Sequence, residues 1–158
     1  MDYQNKLAQE YDTLAQFQQI YLNDYPSAKD NYTNAIRILK KLPQDNPEYQ
    51  HNLASLYNAL AYCYAKLNNY DDAIKSVTAA IEIAAKLKEK DSKYLTRWLD
   101  YRHSMAEIKI NNGKDLDEVK AELLEMKSIA QDCLKDNPNN EKAKKNITDI
   151  DSLLSKLK

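Results

Sequence analysis

A set of small and apolar residues recurs along this chain at an interval of 45 to 46 residues. The three copies share a spacing of three, four and three positions: Tyr25, Ala28, Tyr32 and Ala35; Tyr70, Ala73, Val77 and Ala80; Leu116, Val119, Leu123 and Met126. This spacing places each set on one face of an α-helix. Three copies at a near-constant interval indicate a helical repeat protein, in which each unit buries its apolar face against its neighbours.

Caps and breakers divide the chain into seven predicted helices. There are only one glycine and four prolines, so turns should be few and regular elements long. Pro26, Pro47 and Pro138 each follow an aspartate by two positions, which is typical of a polar cap with proline in the first helical turn. Asn69 is a further cap, and Gly113 suits a left-handed helix end. The predicted helices span about 2–23, 26–41, 47–67, 70–89, 92–111, 115–135 and 139–157, and no segment alternates as a strand would.

The helix before each copy carries a second pattern, with residues at offsets of zero, three, four and seven. The middle unit has Tyr57, Leu60, Ala61 and Tyr64, and the turn NNYDD follows. The first unit has Tyr11, Leu14, Ala15 and Gln18, with one extra residue before its turn. The best match in the third unit is Tyr101, Ser104, Met105 and Ile108.

Together these residues resemble the tetratricopeptide repeat (TPR), whose pattern is an aromatic residue, Leu-Gly or Leu-Ala, a tyrosine, a turn, and then alanine, an apolar residue and alanine. Residues 54–87 match almost position for position, whereas Met105 and Met126 stand where the family usually has a small residue. The resemblance implies one all-α domain over 1–158, folded as a right-handed α-α superhelix of about seven antiparallel helices. Its long-helix repeats would span about 2–42, 47–89 and 92–135, with a capping helix at about 139–157.

In this family the first helix of each pair lines a concave groove that binds extended peptides or partner helices. The resemblance therefore implies candidate groove residues in each unit: Asp12 and Gln16, with Gln9 and Gln19; Ser55, Asn58, Tyr62 and Lys66, with Ala65; Leu99, Arg102, Ala106 and Lys109, with Ile110. Amide side chains can hold a peptide backbone. Arg102 and Lys66 can bind a carboxylate, the arginine with two-pronged geometry.

The repeats and the absence of a catalytic motif favour a non-enzymatic protein–protein interaction module that binds a peptide or helix of a partner. Two alternatives stay open at this point. One is a self-assembling scaffold, which would be a homo-oligomer, and the other is a sensory or regulatory TPR domain of a larger system. The sequence does not indicate the identity of a partner.

Composition argues against several other classes. The chain has 23 Lys and Arg against 24 Asp and Glu, so no nucleic-acid footprint is expected. No apolar run approaches the roughly 20 residues that span a bilayer. The start, MDYQNKLAQEYD, lacks the features of a secretion signal, so a cytoplasmic protein is expected.

Motifs for metal or cofactor chemistry are also not found. His51 and His103 have no ligand partners at metal-binding spacing, so no metal is expected. Gly113 is the only glycine, which excludes a glycine-rich phosphate loop, and no cofactor is expected. Cys63 and Cys133 are predicted to be packed thiols on helices.

Overall fold

The computed structural model describes residues 2–157 and contains, within that range, seven α-helices and no β-strand. The helices are α1 (Asp2–Phe17), α2 (Tyr25–Leu39), α3 (Pro47–Lys66), α4 (Tyr70–Lys90), α5 (Leu95–Asn111), α6 (Leu116–Asp136) and α7 (Glu141–Lys156). A π-helical turn, Gln18–Leu22, continues α1, and a 3₁₀ turn, Ser92–Tyr94, precedes α5. The prediction of an all-α repeat fold of about seven helices is confirmed.

Polar side chains cap the starts of α2, α3 and α4 as the sequence predicts. Asp24 accepts a hydrogen bond from the Ser27 backbone N–H at 3.1 Å. The side chains of Asn46 and Asn69 accept hydrogen bonds from the backbone N–H groups of Glu48 and Asp72, at 2.9 and 3.3 Å. Each bond satisfies a backbone donor that has no partner within its helix. The caps explain why these three helix starts lie within one residue of the predicted positions.

The last helix begins two residues later than predicted. Pro138 lies in a turn rather than in the first helical turn, because the Asn137 side chain accepts from the Asn139 N–H at 3.2 Å. Asn140 is the actual cap and accepts from the Ala143 N–H at 3.1 Å. An asparagine at this position supplies the side-chain acceptor that α7 needs, so the helix starts at Glu141.

The same kind of turn joins α1 to α2 and α3 to α4. Asn23 and Asn68 both have left-handed backbones, with φ of 52° and 59°. The tyrosine two residues later donates its hydroxyl to the asparagine side chain in each case, at 3.2 Å from Tyr25 and 3.4 Å from Tyr70. Asparagine tolerates this conformation better than most residues, and it replaces the glycine that such a turn usually has.

The π-helical turn accommodates the extra residue of the first unit. The Asp24 N–H bonds to the Gln18 carbonyl, six residues back, at 2.9 Å. In the second unit the Asn69 N–H bonds to the Tyr64 carbonyl, five residues back, also at 2.9 Å. The wider turn therefore lets α1 end in the same left-handed asparagine as α3, although its sequence is one residue longer.

Each helix packs against its neighbours in sequence, and α5 also contacts α3 and α7. One large buried cluster joins α1, α2 and α3 around Tyr32 and Leu39. A second joins α5, α6 and α7 around Leu99 and Leu123. Between them lie two smaller clusters in which alanine is the commonest buried residue. Small side chains allow neighbouring helix axes to approach closely.

Candidate functional site

Helices α1, α3, α5 and α7 share one surface, which we call the odd-helix face. Three cavities lie along it, between α1 and α3, between α3 and α5, and between α5 and α7. Their volumes are about 200, 120 and 470 Å³. These cavities lie between successive odd-numbered helices, so their lining comes from the first helix of each pair and from the last helix.

The first cavity is lined mainly by amide and hydroxyl side chains. Its lining residues are Asn5, Ala8, Gln9, Asp12, Leu39, Asn52, Ser55 and Leu56. Asp12 accepts a hydrogen bond from the Gln16 amide at 2.9 Å. Ser55 and Tyr101 share a hydrogen bond at 3.0 Å. The Asn5 Oδ1 atom is buried and has no hydrogen-bond partner among the described residues.

The second cavity combines an aromatic ring, a cation and two amides. It is lined by Asn58, Tyr62, Ala65, Lys66, Ser104, Glu107, Ile108 and Asn111. The Lys66 Nζ atom lies 5.2 Å from the centre of the Tyr62 ring. The neighbouring Tyr62 side chain raises the pKa of Lys66, with Tyr25 and Glu107 contributing less. The Asn58 Oδ1 atom is buried and, within the described part of the chain, unpaired.

The third cavity carries most of the charge on this face. It is lined by Arg97, Asp100, His103, Ser104, Lys142, Lys145 and Asp149. Both carboxylates are already engaged: Asp100 with Arg97 at 3.6 Å and with the Asn146 amide at 2.6 Å, and Asp149 with Lys145.

His51 lies near the basic residues of this cavity, and its pKa is lowered. Burial lowers its pKa most, and the charges of Arg97, Lys142 and Lys93 lower it further. In the cavity itself, three basic side chains face two carboxylates, so its charges nearly balance.

The predicted residues of the first two units mostly meet on the odd-helix face. Asp12 and Ser55 line the first cavity, and Asn58, Tyr62 and Lys66 line the second. Gln16 is exposed beside Asp12. Gln19 is an exception, because its side chain turns inward and accepts a hydrogen bond from the buried Tyr32 hydroxyl at 2.8 Å.

The predicted residues of the third unit do not line these three cavities. Leu99 and Ala106 are fully buried in the core of α5–α7, so they have no surface to offer a ligand. Arg102 lies 3.0 Å from Glu125 and over the Trp98 ring. Lys109 lies 3.2 Å from Glu122, in a different cavity against α4 and α6.

The register predicted for the third unit is wrong by one residue. Ala106, not Met105, holds the position of the small buried residue that Ala61 holds in α3. Counting from these alanines, the equivalents of Asn58, Tyr62 and Lys66 are His103, Glu107 and Asn111, which do line the cavities. The sequence analysis missed these residues. Ala106 follows Leu99 by seven residues and precedes Ile110 by four, which places the three on one helix face, so the alanine was an available signal.

Three observations within residues 2–157 bear on metal binding, thiol reactivity and membrane insertion. Among them, no group of three or more His, Cys, Asp or Glu side chains is placed to hold a metal ion. Burial raises the pKa of the Cys63 thiol to about 11, which disfavours the reactive thiolate. Within the described range, no helix has both the length and the apolar character that crossing a membrane requires.

No protein-family model matches the chain, and no curated protein matches it. The resemblance to the tetratricopeptide repeat therefore stays a prediction that depends on the residues quoted above.

Proposed function

We propose that the chain is a non-enzymatic protein–protein interaction module of tetratricopeptide type that binds an extended segment of a partner along the odd-helix face. The observation that carries this proposal is the row of three cavities on the first helices of successive pairs, with buried, unpaired amide oxygens at Asn5 and Asn58. Buried polar atoms are normally hydrogen-bonded. Two of the four unpaired, buried side-chain atoms among the described residues line the first two cavities, which suits a surface that completes its hydrogen bonds with a ligand.

An extended segment fits these cavities better than a helix does. The unpaired amide oxygens of Asn5 and Asn58 need hydrogen-bond donors, and the backbone N–H groups of a helix are already bonded within it. An extended chain leaves its backbone N–H and C=O groups free. A rotation of the Asn58 amide would turn its oxygen towards such an N–H without breaking a bond that the oxygen already makes.

A peptide selection tests the proposal. A display library of random, unstructured 16-residue peptides would be panned against the protein, and the enriched peptides titrated by fluorescence anisotropy. Replacing Asn58 with alanine should weaken binding about tenfold, since one or two hydrogen bonds of roughly 1 kcal/mol are lost. Asn34→Ala is the matched control, because Asn34 lies on α2 and its side chain accepts only from Arg37 within the described residues.

Two results would contradict the proposal. One is the absence of any enriched peptide from a library of adequate diversity. The other is a set of enriched peptides whose affinities are unchanged by Asn58→Ala and by Tyr62→Ala, which would place binding on another surface.

A further inference from the structure

A mostly apolar stripe with heptad spacing runs along the side of α1 that faces away from the core and continues into the π-helical turn Gln18–Leu22. Its positions are Tyr3, Leu7, Glu10, Leu14, Phe17 and Tyr21, with alternating steps of four and three residues. These are the a and d positions of a helix that pairs with another helix. The exposed fractions are high: 77% for Tyr3, 47% for Leu14, 50% for Phe17 and 72% for Tyr21. The Phe17 and Tyr21 rings contact each other, with centres 5.4 Å apart. We call these six residues the α1 stripe.

The charges near the α1 stripe argue against a membrane surface as its partner. Helices that lie on membranes carry Lys and Arg on the polar face. Residues 2–22 contain one basic residue, Lys6, and three acidic residues, Asp2, Glu10 and Asp12. An anionic lipid surface would repel this helix, so a protein surface is the better partner.

The α1 stripe is complementary to itself when two copies run antiparallel. A two-fold axis beside residue 12 places Tyr3 opposite Tyr21 of the second copy, Leu7 opposite Phe17, and Glu10 opposite Leu14. Each a position then faces a d position, as an antiparallel helix pair requires. A tyrosine lies at each end of the stripe, and all the layers apart from the Glu10–Leu14 layer pair one apolar or aromatic side chain with another.

The opposite end of the molecule does not offer a comparable surface. The exposed residues of α7 are all polar: Glu141, Lys142, Lys144, Lys145, Thr148, Asp151, Ser152, Ser155 and Lys156. Its partly buried apolar residues, Ile147 and Leu154, pack against the α5–α7 core. A head-to-tail filament through α1 and α7 is therefore disfavoured, whereas a two-fold contact through α1 alone closes after two copies.

The exposed area of the α1 stripe suits a small, reversible interface. Fully buried aromatic side chains contribute about 150–250 Å² each, so the exposed parts of the three rings offer about 400 Å². Leu14, which is 47% exposed, brings the total for the stripe to about 450–500 Å². An interface of standard size takes about 800 Å² from each partner.

We propose that two copies of this chain associate through their α1 stripes as an antiparallel, two-fold symmetric helix pair. Glu10 is the one charged residue of the stripe. Because it faces Leu14 of the second copy, its carboxylate has no polar partner across the pair and weakens the association.

Sedimentation equilibrium across a wide concentration range tests the association. The wild-type protein should form dimers reversibly. The double variant Leu14→Glu/Phe17→Glu should raise the dimer dissociation constant at least about 100-fold, since each buried carboxylate costs more than a tenfold change. The matched control is Leu116→Glu/Leu124→Glu, at residues on α6 that are 42% and 53% exposed, and it should dimerise like the wild type.

A variant that dimerises more tightly provides a further check, because an unfolded variant would not show tighter dimerisation. Glu10→Leu completes the apolar stripe and should tighten the dimer about tenfold or more. A wild-type protein that stays monomeric throughout the range would overturn the proposal. So would a dimer that the stripe variants leave unchanged, or one that the α6 variants weaken equally.

Cross-linking tests the direction of the pair. In a Cys133→Ser background, Thr13→Cys should form an inter-chain disulfide, because a two-fold axis beside residue 12 puts the two copies of residue 13 about 3 Å apart along the helix axis. Gln4→Cys should not, because its copies would be separated by about 24 Å. Cross-linking at residue 4 would indicate a parallel pair and overturn the antiparallel arrangement.

Discussion

At the scale of single residues, Gln19 ties three parts of the fold together. Its side-chain oxygen accepts from the Tyr32 hydroxyl at 2.8 Å and lies 3.7 Å from the Cys63 sulfur. Tyr32 and Cys63 are almost completely buried, and burial raises the pKa of both side chains. Because it follows α1 and meets residues of α2 and α3, Gln19 has a structural role where sequence reasoning predicted a ligand contact.

We expect Gln19→Leu to lower the free energy of unfolding by about 1–3 kcal/mol, because it leaves the buried Tyr32 hydroxyl without its acceptor. Tyr32→Phe removes that hydroxyl, so the double variant should lose less stability than the sum of the two single variants. Urea unfolding followed by circular dichroism measures all three. Strict additivity would show that the hydrogen bond contributes nothing to stability.

At the scale of the helices, the sequence predicted most of the fold, and five of its ten principal site residues line the three cavities. Local signals determine helix starts, so the caps at Asp24, Asn46 and Asn69 could be recognised directly. The face that a helix buries depends on both of its neighbours. For α5, the spacing favoured Met105 as the small position, but packing against α6 and α7 selects Ala106. The predicted residues of α1 and α3 mostly line the first two cavities, because Ala15 and Ala61 left less ambiguity about the register.

The π-helical turn after α1 should be removable. Ile20 is 60% exposed and lies within the turn, and deleting it gives the first unit the same length before its left-handed asparagine as the second unit has. We expect the deletion variant to fold with unchanged helix content, because α3 shows that the shorter connection is compatible with this turn. Circular dichroism and the thermal midpoint provide the measurement, with deletion of Leu60 in the core of α3 as a destabilised control. Loss of cooperative unfolding in the Ile20 deletion would contradict the interpretation that the π turn absorbs one residue.

At the scale of the whole molecule, stability is distributed along the row of helices. The two large clusters lie in α1–α3 and α5–α7, and most contacts join neighbours in sequence. Stability in such an array is approximately a sum over units and their interfaces. A substitution in one cluster should therefore destabilise the helices of that cluster more than the rest of the molecule.

Leu123 offers a test of this distribution, because it is fully buried in the α5–α7 cluster. We expect Leu123→Ala to cost about 2–5 kcal/mol. Hydrogen exchange should show lost protection in α5, α6 and α7, with α1 and α2 much less affected. Leu39→Ala, in the α1–α3 cluster, is the reciprocal control. Equal loss of protection along the whole chain in both variants would indicate a single cooperative unit.

The placement of the three cavities restricts the periodicity of any segment that uses all of them. Helices in contact, as α3 with α5 and α5 with α7, have axes about 8–10 Å apart, so consecutive cavities recur at about that distance. Residues on the same side of a β-strand repeat every ~6.6 Å, which does not match. A polyproline II chain repeats after three residues and about 9 Å. The side chains that determine binding would then recur at every third residue of the segment, within a stretch of about seven to nine residues.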